Sequence, residues 1–181
     1  MIITISGMIG AGKDTIAGEL AKRLDYQRYS SGGFMRQMAK DRKMSLAELS
    51  KEAETNPEID KEIDKKQIEF GKIKDNYVVD GRLSWLFMPN SIKIYLDVSL
   101  EEAAKRIFLD QKENRKVEDN SSLEKLVKKI KERKKSEIKR YKKYYGVDIH
   151  DKRNYNIYLN TTNMKIEDEV GYLIKEINKN F

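Results

Sequence analysis

Apolar and polar positions along the chain alternate between two periods. Ile2, Ile3 and Ile5 make a brief apolar strand that breaks into glycines, and Thr15 to Leu24 follows with helical spacing. Tyr26 to Ser30 reads as a second short strand, with a helix opening at Ser30-Ser31-Gly32-Gly33. Ser45-Leu46-Ala47-Glu48 has the form of a capping box, in which serine and glutamate each satisfy the other's free backbone N–H. Asn56-Pro57 places a cap residue before a first-turn proline and starts a helix to about Phe70. Tyr77 to Val79 and Ile92 to Leu96 are the next strands, and a second capping box at Ser99 to Glu102 opens a helix to about Gln111. A long helix from Ser122 ends near Gly146, followed by a strand at Tyr155 to Leu159 and a helix from Ile166 to Asn178. Strands alternating with helices predict an α/β fold, a parallel sheet wrapped by helices. Helical inserts near residues 36–72 and 112–150 interrupt the rhythm.

Glycine sharpens this picture. Six of the ten glycines fall within the first 33 residues, and none lies between Gly81 and Gly146. A site at the front and long helices behind are expected.

Composition removes several chemistries. The chain has 181 residues, 39% hydrophobic and 37% charged, a globular mixture with one domain as the length prior. It has no cysteine and a single histidine, His150, which excludes disulfides, thiol nucleophiles and multi-histidine metal sites. No apolar run approaches the roughly 18 residues that span a bilayer, and the first residues do not resemble a signal peptide. A soluble, cytoplasmic protein is expected. Net charge is +7, yet Glu124 to Lys143 alone carries an excess of +8, so the basicity belongs to one helix. That helix is either a solvated face or a functional one. Abundant lysine and glutamate give a thermophile-like balance.

Gly7-Met8-Ile9-Gly10-Ala11-Gly12-Lys13-Asp14-Thr15 follows a strand and opens a helix, the context in which a phosphate-binding loop is credible. Backbone amides and the helix N-terminus can cradle phosphate oxygens, with Lys13 as a mobile point charge. Asp14 stands where the general pattern has a hydroxyl residue, and Thr15 follows it. Val78-Val79-Asp80-Gly81-Arg82 ends the third strand, which puts Asp80 and Arg82 at the carboxyl edge of the sheet beside the loop. Arg133, Glu137 and Arg140 share one helical face by their spacing.

The chain resembles nucleoside monophosphate kinases, most closely the archaeal-type cytidylate kinases. The resemblance is carried by Gly7 to Thr15, Ser30 to Arg36, Asn56 to Gln67, Asp80 to Arg82, Glu132 to Tyr141 and Tyr145 to Ile149, in order over almost the whole chain. The family accepts a non-hydroxyl residue followed by threonine after the loop lysine; Gly33 departs from the aspartate of many relatives. The resemblance implies a three-layer P-loop NTPase fold with a five-stranded parallel sheet. It implies a core of residues 1–35, 73–111 and 151–181, a monophosphate-binding insert over about 36–72 and a lid over about 112–150. ATP would bind on Gly7, Met8, Ile9, Gly10, Ala11, Gly12, Lys13, Asp14 and Thr15, with Arg106 against its base. Ser31, Arg36 and Arg82 would hold the acceptor. Asp60, Asp64 and Gln67, on one helical face, would read its base edge or simply form an exposed face paired with lysines. Lys13, Asp80, Arg133 and Arg140 would be catalytic, with Glu137 orienting an arginine. Magnesium, arriving with ATP, would meet Thr15 and Asp80, mainly through water.

The implied reaction is transfer of the ATP γ-phosphoryl group to CMP or dCMP, a step of pyrimidine nucleotide metabolism for which a monomer suffices. A same-fold kinase for UMP, AMP or a deoxynucleotide is the near alternative. A P-loop nucleic-acid-binding protein using the basic helix over residues 124–143 is the distant one, disfavoured because its aromatics are not interleaved for stacking. His150 is expected to be structural.

Overall fold

The computed structural model describes residues 1–73, 75–114 and 122–180. Its strands are β1 (Ile2–Gly7), β2 (Gln27–Ser30), β3 (Tyr77–Asp80), β4 (Ile92–Asp97) and β5 (Ile157–Asn160). All pair in parallel, in the order β2-β3-β1-β4-β5. The helices are α1 (Lys13–Leu24), α2 (Ser31–Asp41), α3 (Leu46–Glu52), α4 (Pro57–Ile73), α5 (Ser84–Phe87), α6 (Leu100–Asn114), α7 (Leu123–Tyr145) and α8 (Ile166–Asn180).

The central strand explains why helices must flank the sheet. Along β1, Ile3 and Ile5 alternate with Thr4 and Ser6, and all four are fully buried. A strand buried on both faces needs cover on both. Its two hydroxyls are satisfied inside: Thr4 Oγ1 lies 2.9 Å from Ser91 Oγ, and Ser6 Oγ donates to the Arg82 carbonyl at 3.2 Å. The main core joins β1 and β4 to Ile16 and Leu20 of α1, Leu126 and Ile130 of α7, and Val170, Leu173 and Ile177 of α8. At roughly 1.5–3 kcal/mol per buried aliphatic side chain, this cluster is the main stabilising element.

The expected excursions are present as helices: α2, α3 and α4 connect β2 to β3, and α6 and α7 lie between β4 and β5. The expected opening of the second one, near residue 112, runs into residues 115–121, which lie outside the described residues. Ser45 and Glu48 form the reciprocal capping box at the start of α3. Asn56 Oδ1 accepts from the Glu58 N–H at 3.1 Å, capping α4 ahead of Pro57. The second box is only half formed. Ser99 Oγ accepts from the Glu102 N–H, but the Ser99 N–H donates to Thr162 Oγ1 and Glu102 turns to Arg106 instead. A cation one turn ahead outcompetes a backbone amide that already has another partner. Other differences are at element ends. The first helix begins at Lys13, because the phosphate loop runs straight into it, and the last strand begins at Ile157 rather than Tyr155.

Candidate functional site

The carboxyl ends of β1 and β3, neighbours at the centre of the sheet, open into a cavity of about 870 Å³ lined from the loop after β1, from α2, α3, α4 and α7, and from the turn after β3. That is large enough for two nucleotide-sized ligands by the usual range of 300–1,000 Å³ for binding clefts.

The loop after β1 is anchored by its side chains and presents its backbone. Met8, Ile9 and Ala11 are buried in the main core, while Gly10 and Gly12 face the cavity. Gly10 has φ +78°, and a Cβ there would stand 2.9 Å from the Ala103 Cα on α6. A Cβ at Gly7 would meet the Leu96 carbonyl oxygen at 2.2 Å. These two positions admit only glycine, so the loop lies tightly between β4 and α6. Lys13 folds its ammonium back onto the loop, donating to the Met8 carbonyl at 2.8 Å and the Gly7 carbonyl at 3.2 Å. Burial, and then the guanidinium of Arg82, hold its pKa well below the ordinary lysine value. An anion in the cavity would relieve both effects.

Glu137, in the middle of α7, gathers the cations. Its Oε2 lies 3.1 Å from Arg82 Nε and its Oε1 accepts from Arg133 Nε at 3.0 Å. Burial alone would raise its pKa; the surrounding cations, Arg82 foremost, reverse this and keep the carboxylate ionised. Arg82 also donates to the Gly7 carbonyl, tying the turn after β3 to the loop. Nearby, Arg140 Nε faces Asp60 Oδ2 at 3.4 Å, and neither atom makes a hydrogen bond among the described residues. The two face each other as a buried ion pair in the cavity wall.

The acidic face of α4 is therefore not a solvated lysine-paired surface. Asp60, Asp64 and Gln67 are all buried and line the cavity. Tyr145 donates to Asp64, and Ser84 Oγ donates to Gln67 Oε1 at 2.6 Å. Burial pushes Asp64 up to about 6, against the Tyr145 hydrogen bond and with the help of Asp60. Further links tie α7 to the turn after α3: Ser136 Oγ donates to Glu54 Oε1 at 2.5 Å and Tyr144 to the Glu54 carbonyl at 3.0 Å.

Asp80 accepts from Ser30 Oγ at 2.9 Å and from Arg28 Nε at 3.1 Å. Burial raises its pKa against the opposing pull of Arg28. No motif in the sequence marks Arg28, a cation on an edge strand. Ser31 Oγ donates to the Asp80 carbonyl at 3.0 Å, and Arg36 lies 3.9 Å from Asp14.

The cavity thus brings together Ile9, Gly10, Gly12, Lys13, Asp14, Ser31, Arg36, Asp60, Asp64, Gln67, Asp80, Arg82, Arg133 and Arg140. Gly7, Met8 and Ala11 sit behind it. Thr15 is exposed on α1 and does not line it. Arg106 is also outside, donating to Thr161 Oγ1 at 3.1 Å and to the Thr161 carbonyl at 2.6 Å, with Glu102 on its Nε at 3.1 Å. It is a networked residue, not a solvent-facing one. His150 Nδ1 lies 2.5 Å from the Tyr95 hydroxyl, outside the cavity, and burial lowers its pKa to about 4.

The family model described as "Cytidylate kinase-like family" matches residues 2–163. Among curated proteins, the chain is 40% identical over 162 residues to the cytidylate kinase of Thermococcus kodakarensis, covering 89% of this chain and 79% of that one. It is 38% identical over 172 residues to the cytidylate kinase of Methanocaldococcus jannaschii, covering 92% of each. Among solved structures, shikimate kinase from Bacteroides thetaiotaomicron superposes with a TM-score of 0.68 at 16% identity over 98% of both chains. Shikimate kinase from Aquifex aeolicus gives 0.58 at 16% identity, over 99% of this chain and 98% of that one. These likenesses show that the chain shares their fold, a five-stranded parallel sheet flanked by helices.

Proposed function

The chain belongs to the cytidylate kinase-like family, and on that premise we propose that it transfers the γ-phosphoryl group of ATP to CMP or dCMP. The observation that carries the reading is the convergence of Lys13, Arg82, Arg133 and Arg140 on one cavity between the phosphate loop and α4. The acceptor phosphate is already anionic, so no general base is needed. What is needed is alignment of two polyanions and neutralisation of charge on the transferring oxygens.

In this reading, residues 7–13 and Lys13 hold the donor, Arg36, Arg82 and Ser31 hold the acceptor phosphate, and Arg133 and Arg140 serve the transition state. Asp60, Asp64 and Gln67 face the acceptor base. The excursion of α2 to α4 is the acceptor insert, and α7 is the lid. Arginine suits these places because its planar fork binds two phosphate oxygens at once. Arg106, outside the cavity and held by Thr161 and Glu102, would meet the donor base only where ATP extends beyond the cavity.

The site fits a magnesium ion that arrives on the nucleotide. Such an ion takes most ligands from phosphate and water, needing one carboxylate nearby, and both oxygens of Asp80 already accept hydrogen bonds, which suits contact through water. A bound ion would supply positive charge against the negative charge developing on the phosphates, with Asp80 orienting its water ligands. A cytoplasmic, soluble enzyme follows from the same reading; among the described residues, no helix is long and apolar enough to cross a membrane.

A site that gathers its arginines around the acceptor should not spend ATP without one. In an ADP-release assay, ATP consumption is expected to depend on CMP. Equal release with and without CMP would overturn the reading.

A further inference from the structure

Asp14 poses a problem that the proposed function leaves unsolved. It places a carboxylate next to Lys13, in the wall of a cavity read as a site for polyanions. An unbalanced negative charge there would repel the donor's phosphates.

The structure supplies a counter-charge. Arg28 and Ser30 are two residues apart on β2, so their side chains leave the same face of the sheet. The register sets Ser30 beside Asp80, and both Arg28 and Ser30 bond the Asp80 carboxylate. With its Nε fixed on Asp80 at 3.1 Å, the Arg28 guanidinium extends its Nη2 to Asp14. On the way it passes over α1 at Gly18, one turn beyond Asp14, where an added Cβ would stand 3.5 Å from Nη1. The two ends differ in environment. Asp80 has 9% of its side chain exposed and Asp14 67%, so Asp80 is the anchor and Asp14 the group being compensated. Arg36, 3.9 Å from Asp14, is a second guanidinium near it, and it stays 57% exposed.

We propose that Arg28 is a positioning residue of the donor site: held by Asp80, it cancels the charge of Asp14 and so makes a carboxylate tolerable beside the phosphate loop. Arg28 itself does not touch the donor. It acts through Asp14, which explains how this chain dispenses with a hydroxyl residue at that position. The inference rests on the donor half of the proposed function.

The test is the dissociation constant of ATP, measured by calorimetry for the parent, Arg28→Met, Asp14→Ser and the double variant, with adenosine as an uncharged control. Arg28→Met is expected to weaken ATP binding roughly tenfold, from one uncompensated charge near the phosphates, and to leave adenosine binding unchanged. Asp14→Ser should then tighten ATP binding about tenfold in the Arg28→Met background but less than about threefold in the parent, because only in the former is the carboxylate unbalanced. Arg28→Lys, which keeps the charge, should stay within about threefold of the parent. Should the methionine variant not fold, Arg28→Gln carries the same comparison. Equal effects of Asp14→Ser in both backgrounds, or parallel loss of adenosine binding, would overturn the inference. Failure of the parent to phosphorylate CMP would overturn the acceptor reading alone, since the ATP series still decides the role of Arg28.

Discussion

Arg82 Nε and Glu137 Oε2 stand 3.1 Å apart across the crevice, joining the turn after β3 to the middle of α7. Both are largely shielded from water, with 15% and 8% of their side chains exposed. Removing one partner of such a pair leaves the other buried and uncompensated. Glu137→Gln is therefore expected to cost about 3 kcal/mol of stability, and to lower turnover by more than tenfold because Arg82 and Arg133 lose their common anchor. Thermal melting and steady-state rates check this; a variant matching the parent in both would contradict it.

Arg140 has a different role. Its Nε is buried in the cavity wall and faces Asp60 Oδ2 at 3.4 Å. Arg140→Ala is expected to lower kcat by about 10³, the lower end for an arginine acting on a phosphoryl transition state, with ATP affinity changed less than about threefold. Turnover within a few fold of the parent would remove Arg140 from the transition state.

Asp64, raised to about 6 by burial, gives the acceptor site a pH signature. If Asp64 faces the acceptor base as proposed, its ionised form would accept a hydrogen bond from the amino group of cytosine, and its protonated form would donate to the carbonyl of uracil. The ratio of kcat/KM for CMP over UMP should rise with pH through about 6. Asp64→Asn should flatten that rise. A ratio that does not change between pH 5 and 8 would exclude Asp64 from base reading.

Glu169, on α8, is buried beside Arg106, and burial raises it to about 7 despite that cation. Because the folded state holds this proton more tightly than the unfolded chain, stability is lost as pH rises from the unfolded carboxyl value through about 7. Glu169→Gln removes that loss. Its melting temperature should exceed the parent's at pH 8 and approach it at pH 5. The opposite trend would show that the Arg106 pair, not burial, dominates.

Much of this molecule was legible because its signals are local. The phosphate loop is contiguous, Ser45 and Glu48 are three residues apart, and Asn56-Pro57 is a dipeptide; each identifies its own neighbourhood. The strands show as apolar runs, although the run at β5 starts two residues before the strand, because Tyr155 has a strand-like side chain and instead packs against Trp85 and Tyr95. Arg133, Glu137 and Arg140 were legible as a face. That Glu137 would also hold Arg82, 55 residues earlier, was not, and neither was the pairing of Arg28 with Asp14 and Asp80. The capping-box motif at Ser99 misled for the same reason: Thr162 and Arg106, brought close by the fold, took the partners that local pattern assigned elsewhere. The four-residue α5 is too short to show a helical period.

The proposed function requires two nucleotides to meet in the cavity between the phosphate loop and α4. Initial rates of ADP formation with ATP and each of CMP, dCMP, UMP, AMP and dTMP test it most directly. The expected result is the highest kcat/KM for CMP or dCMP and negligible ADP formation without an acceptor. A clear preference for AMP or dTMP, or no phosphorylation of any monophosphate by a protein that binds ATP, would contradict it.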